Sequence, residues 1–106
     1  MRLLLALGLF TSFAARAAEP PTFVLVMFDG RLQPEVIEVP AKTKFRLEIR
    51  NQGKSAAEFE SLELRKESVL APGVTRTLVF APLQPGSYNF FDEFHPATAQ
   101  GRIVAK

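Results

Sequence analysis

Tyr88-Asn89-Phe90-Phe91-Asp92-Glu93-Phe94-His95-Pro96-Ala97-Thr98-Ala99-Gln100-Gly101 is the stretch on which the reading of this chain turns. Tyr88 to Asp92 has the aromatic content of a strand, the residues from Glu93 to Gln100 are short, polar and broken by a proline, and Arg102 to Ala105 is apolar again. The segment therefore predicts a strand, a short loop and a closing strand. It also carries the chain's only histidine, His95, beside the carboxylates of Asp92 and Glu93.

Upstream of this loop the same grammar repeats. Short runs rich in β-branched and aromatic residues alternate with Pro, Gly and Asn punctuation, and no segment has a helical period. Strands are expected at 23–28, 35–39, 45–50, 58–64, 75–80, 88–92 and 102–105, with turns at Asp29-Gly30, Asn51-Gln52-Gly53-Lys54, Pro72-Gly73 and Pro85-Gly86. Phe45, Leu47 and Ile49 alternate with Lys44, Arg46, Glu48 and Arg50, the pattern of a half-buried strand. Tyr88, just after a Pro-Gly turn, suits a tyrosine corner. These features predict an all-β, seven-stranded Greek-key sandwich.

The N-terminus reads as an export signal. Arg2 supplies a positive start, Leu3 to Phe13 an apolar run too short to span a bilayer, and Ala15-Arg16-Ala17 a cleavage site. The expected organisation is a signal peptide over 1–17 and one domain over 18–106, placed in the periplasm. Removing Arg2 and Arg16 leaves 11 basic residues against 11 acidic ones, so the sequence pI of about 9.3 implies no affinity for nucleic acid. The absence of cysteine excludes disulfides, thiol redox chemistry and thiolate-metal sites. Stability must come from packing, for which eight phenylalanines follow the signal.

One strand carries a conflict. If Leu62 and Leu64 face the core, alternation sends Glu58 and Glu60 inward as well; if Phe59 faces the core, the leucines point out. A bulge could switch the phase, or inward carboxylates at the rim could find a partner. A buried, unpaired carboxylate is costly, and a metal ion removes that cost.

The final loop resembles the C-terminal metal loop of a cupredoxin, in which a Cys, a His and a Met hold copper. Asp92 stands at the Cys position, His95 at the His position and Gln100 at the Met position. Cupredoxins place a first histidine a few residues after an Asn-containing turn, and Asn51-Gln52-Gly53-Lys54-Ser55-Ala56-Ala57 leads to Glu58. The resemblance thus implies a metal site of Glu58, Asp92, His95 and Gln100. Met27, Asp29, Glu60, Glu67 and Glu93 are candidates for a second, iron-receiving site or an outer shell. Met27 also fits the core, and Asp29 is first of all a turn residue.

Asp29-Gly30, Ala57-Glu58-Phe59-Glu60-Ser61, Pro72-Gly73, Pro85-Gly86-Ser87-Tyr88 and Phe90-Phe91-Asp92-Glu93-Phe94-His95-Pro96 resemble a narrower group. These are the periplasmic cupredoxin-like proteins that accompany Ftr-type iron permeases, and their relatives in Efe-type ferrous uptake systems. The resemblance implies binding of Cu(II) and Fe(II), a copper-dependent ferroxidase as one form of the activity, and delivery to a membrane iron permease and other periplasmic iron-uptake components. Carboxylates in place of sulfur make the site hard and oxygen-rich, favouring Fe(III) and Cu(II). The alternatives are a periplasmic copper carrier without oxidase activity and a metal-free interaction domain.

Overall fold

The computed structural model describes residues 19–106, with Gly8 alone ahead of them, so the expected signal peptide otherwise lies outside the described residues. Nine strands form a two-sheet sandwich: β1 (Thr22–Phe28), β2 (Arg31–Gln33), β3 (Val36–Val39), β4 (Phe45–Asn51), β5 (Ala57–Ser61), β6 (Lys66–Leu70), β7 (Thr75–Phe80), β8 (Gly86–Asp92) and β9 (Gln100–Ala105). One sheet has the order β2-β1-β4-β7 and the other β3-β9-β8-β5-β6. The all-β sandwich expected from the sequence is present. The strand count is nine rather than seven.

Both additional strands lie at sheet edges. Asp29 and Gly30 take positive φ of 41° and 87°. They form a two-residue turn whose twist suits a hairpin, so Phe28 pairs with Arg31 and the short β2 follows. β6 opens on the charged residues Lys66 and Glu67, and its backbone pairs antiparallel with β5, from Ala57 opposite Leu70 to Ser61 opposite Lys66.

Alternation brings the apolar face of each strand inward. Leu25 and Met27 of β1, Phe45, Leu47 and Ile49 of β4, and Phe80 of β7 meet Phe59, Leu70, Phe90 and Ile103 from the opposing sheet. Phe45 stacks on Phe80 with ring centroids 4.8 Å apart, and Phe59 lies against Phe90 at 5.2 Å. Four phenylalanines are thus fully buried, the apolar filling a cysteine-free domain needs. Tyr88 Oη donates to Gln84 O at 2.7 Å, closing the predicted tyrosine corner.

The conflict in β5 resolves in favour of Phe59. Ala57, Phe59 and Ser61 face the core and Glu58 and Glu60 face outward. No bulge is needed, because the strand ends at Ser61: a turn through Leu62–Arg65 leaves Leu62 72% exposed and folds Leu64 back against the core. The buried Ser61 keeps its hydroxyl satisfied by donating to Asn89 O at 2.8 Å.

Candidate cation site and the histidine loop

Two segments build this end of the sandwich. The first is the entry to β5. Asn51, buried at the end of β4, donates from Nδ2 to Ser55 O and Leu70 O and accepts Gly53 N–H at Oδ1. Asp29 Oδ1 accepts Lys54 N–H, Ser55 N–H and the Ser55 hydroxyl. These bonds, that of the Ser55 hydroxyl above all, hold the Asp29 carboxyl below its usual range. Asp29 is therefore the fastener of the 51–56 turn as well as a hairpin residue.

The second segment is the 93–99 loop. Asp92 N donates to Ala99 O, His95 N to Asp92 O and Ala99 N to His95 O, so the loop is closed by its own backbone. Thr98 Oγ1 ties it to the β1–β2 hairpin by donating to Gly30 O at 2.7 Å. A methyl group at Gly30 would come within 2.9 Å of Thr98 Oγ1 and 3.3 Å of His95 Cδ2, so only glycine lets the hairpin sit this close.

The structure brings Asp92 and His95 together. His95 Nδ1 and Asp92 Oδ2 are 2.9 Å apart, with Asp92 buried and the His95 ring 28% exposed. Nδ1–H donates to the carboxylate, which leaves Nε2 as the free ring nitrogen. Asp92 Oδ1 is occupied too, accepting Glu58 N–H at 2.9 Å and Phe94 N–H at 3.0 Å.

Glu58 and Gln100 do not join them. Asp92 is opposite Phe59 in the ladder, so its side chain shares the inner face with Phe59 and Ala57, while Glu58 projects from the outer face. The inner position nearest the expected histidine site is thus Ala57, whose methyl group offers no donor. Gln100 is opposite Phe91, also on the outer face, and its Nε2 donates to Pro96 O. The expected four-residue site splits because one residue's difference in strand phase moves a side chain to the other face of the sheet. Met27 is fully buried in the core.

Glu58 instead meets two residues expected only as outer-shell candidates. Glu58, Glu60 and Glu93 each contribute a carboxylate oxygen, all within 4.8 Å of one another. Glu60 is opposite Glu67 on β6, which adds a fourth acid. Glu93 reaches the cluster because its backbone N–H donates to Glu58 O at 2.9 Å. Burial, then a hydrogen bond and charge from Glu93, then the charges of Glu60 and Glu67, push the Glu58 carboxyl up. Burial pushes Glu60 up as well, followed by the charges of Glu67 and Glu93 and a hydrogen bond to Glu67. Glu60 Oε2 is shielded from solvent and has no donor partner. A proton shared with another carboxyl, or a cation, would satisfy it.

The whole chain matches one family: the model described as "Cupredoxin-like domain" covers residues 1–105. The chain belongs to the cupredoxin-like domain family. An uncharacterized protein of Rickettsia prowazekii (strain Madrid E) is 42% identical over 76 residues, which span 72% of this chain and 61% of that one. This chain therefore spans about three fifths of the length of that curated relative. Among solved structures, reduced auracyanin from Roseiflexus castenholzii superposes with a TM-score of 0.68 at 13% identity, over 85% of this chain and 99% of its own. The metal-binding domain of the Streptococcus pneumoniae Cu(I)-exporting P-type ATPase CopA, solved with Cu(I), gives 0.72 at 12% identity over 86% and 91%. At these identities the likeness is one of fold.

A blue-copper centre does not fit this cupredoxin-like domain. Such a centre takes two imidazoles and a thiolate, and this chain has one histidine and no cysteine. Both oxygens of Asp92 are moreover engaged by internal donors. A hard cation does fit the Glu58–Glu60–Glu93 cluster. The cluster offers one carboxylate oxygen from each of three residues, all within 4.8 Å of one another, and all-oxygen donors are what such ions take.

Proposed function

We propose that this protein is an exported cation-binding module of iron uptake, taking iron at Glu58, Glu60 and Glu93 and passing it to a membrane permease. The observation that carries this reading is the solvent-shielded, donorless Oε2 of Glu60 within a cluster of carboxylates. A protein gains nothing in stability by gathering these acids, and a bound cation reverses both the repulsion and the upward shifts of Glu58 and Glu60. Iron among the oxygen-binding metals is favoured by the Ala57-Glu58-Phe59-Glu60-Ser61 and Phe90-Phe91-Asp92-Glu93-Phe94-His95-Pro96 motifs, which resemble those of periplasmic iron-uptake proteins. The Arg2 to Ala17 pattern supports export.

Carboxylates suit Fe(III) better than Fe(II), so this donor set makes bound Fe(II) easier to oxidise and holds the product more firmly. A copper ion acting as electron acceptor would find His95 as its only imidazole. The position of the cluster on the outer face of a sheet, rather than inside the sandwich, suits transfer to a partner.

Anaerobic calorimetry tests the reading. Metal-free protein is expected to bind one equivalent of Fe(II), and Arg76→Ala, on the edge strand of the other sheet, is expected to bind it equally well. Saturation at 100 times Kd should stabilise the fold by about 2.7 kcal/mol. Absence of Fe(II) binding, or tighter binding of Ca(II) than of Fe(II), contradicts the proposal.

A further inference from the structure

We infer that Asp92 is a positioning residue that braces the cation site from behind, and not a ligand of the ion. The inference rests on the reading of Glu58, Glu60 and Glu93 as the site. Its grounds are the bonds that Asp92 makes. Its side chain occupies the inner face of the five-stranded sheet, opposite to the face carrying the three glutamates. One oxygen accepts Glu58 N–H at 2.9 Å and Phe94 N–H at 3.0 Å, and the other meets His95 Nδ1 at 2.9 Å.

These bonds join the segments that deliver the ligands. Glu58 is clamped by the loop through both backbone groups: its N–H donates to Asp92 Oδ1, and its C=O accepts Glu93 N–H. Glu93 and Phe94, on the loop side, are thereby fixed against the start of β5. Asp92 thus sets the distance between the Glu58 and Glu93 carboxylates although it touches neither. His95 completes the brace by holding Oδ2, which keeps Oδ1 turned toward the two backbone donors. In this arrangement the lone histidine supports the site through Asp92.

Mn(II), a hard divalent probe, distinguishes brace from ligand when titrated into wild-type, Asp92→Asn and Asp92→Ala proteins. Both substitutions remove the same charge, so a difference between them reports hydrogen bonding. The Asn carbonyl still accepts from Glu58 and Phe94, while its amide donates to His95 Nδ1, forcing the ring into the Nε2–H tautomer. The expected result is a loss of less than tenfold in D92N and at least a further tenfold in D92A, with the tautomer change visible in ¹⁵N spectra of His95. Equal losses in the two variants, or an unaltered His95 tautomer in D92N, overturn the inference. So does a D92A protein that is less stable yet binds Mn(II) like wild type. Should D92A fail to fold, D92N decides alone: binding within tenfold of wild type supports the brace, and complete loss overturns it. If Glu60→Gln binds Mn(II) as tightly as wild type, the three-glutamate site itself falls, an outcome distinct from those above.

Discussion

Glu60→Gln is expected to raise the melting temperature of the metal-free protein and, in the same molecule, to weaken Fe(II) binding at least tenfold. The two effects have opposite signs because one carboxylate causes both. In the metal-free state Glu60 has a solvent-shielded oxygen without a donor and faces Glu67 and Glu93. The isosteric amide removes the repulsion and supplies a donor to those neighbours. With iron bound, the same change removes an anionic ligand. The sign of the pH dependence follows. Glu58 and Glu60 have carboxyls raised above the ordinary 4.5 in the folded state, so the native protein holds protons that the unfolded chain has released. Their contribution to stability is fully present below 4.5 and is lost as pH rises through the raised values. The stability advantage of E60Q should accordingly vanish in acid and grow toward neutrality, as read from paired thermal melts across pH. Asp29, lowered from 3.8, works in the other direction: its contribution is present above 3.8 and is lost as pH falls through the lowered value.

Phe45→Ala is expected to cause the largest loss of stability among single core substitutions. Phe45 is completely buried, stacked on Phe80 at 4.8 Å and in edge contact with Phe23 at 6.0 Å. Truncating such a side chain costs about 3–5 kcal/mol, transfer and cavity terms together. A small domain has roughly 5–15 kcal/mol in total, so about a fifth of the stability or more is removed. At about 4–8 °C per kcal/mol, the melting temperature should fall by more than ~10 °C. The m-value in urea should be unchanged if the native state stays compact. Because Phe45 belongs to the sheet opposite the carboxylates, the protein that remains folded should bind Fe(II) with unaltered affinity.

The sandwich was legible wherever hydrophobic alternation ran for several residues. Phe45 to Ile49 alternates without interruption and is the central strand β4, while the Pro-Gly turn before Tyr88 marked the corner that Tyr88 Oη closes. β2 was invisible because three residues, Arg31–Gln33, cannot show a period; only the Asp29-Gly30 hairpin turn hinted at a partner strand. β6 was obscured because an edge strand needs little apolar surface, and its first two residues, Lys66 and Glu67, are charged.

Reading the site failed at one point of strand phase. The leucines at 62 and 64 look like core residues and draw the register toward themselves, whereas the small residues Ala57 and Ser61 around Phe59 mark the true inner face. Taking that phase puts Glu58 with Glu60 and separates both from Asp92. The approach of Glu93 to them is a loop property, set by a backbone bond to Glu58 O that strand periodicity does not encode. The hydrogen-bonding role of Asp92 was likewise hidden, since an acid at a metal-ligand position and an acid bracing a loop are the same letter in the sequence.

Anomalous diffraction at the iron edge, from crystals soaked anaerobically in Fe(II), tests the central claim most directly. The account predicts one peak about 2.0–2.4 Å from carboxylate oxygens of Glu58, Glu60 and Glu93, with the Asp92–His95 hydrogen bond intact. A peak between Asp92 and the His95 ring, or no ordered iron at the three glutamates, would contradict it.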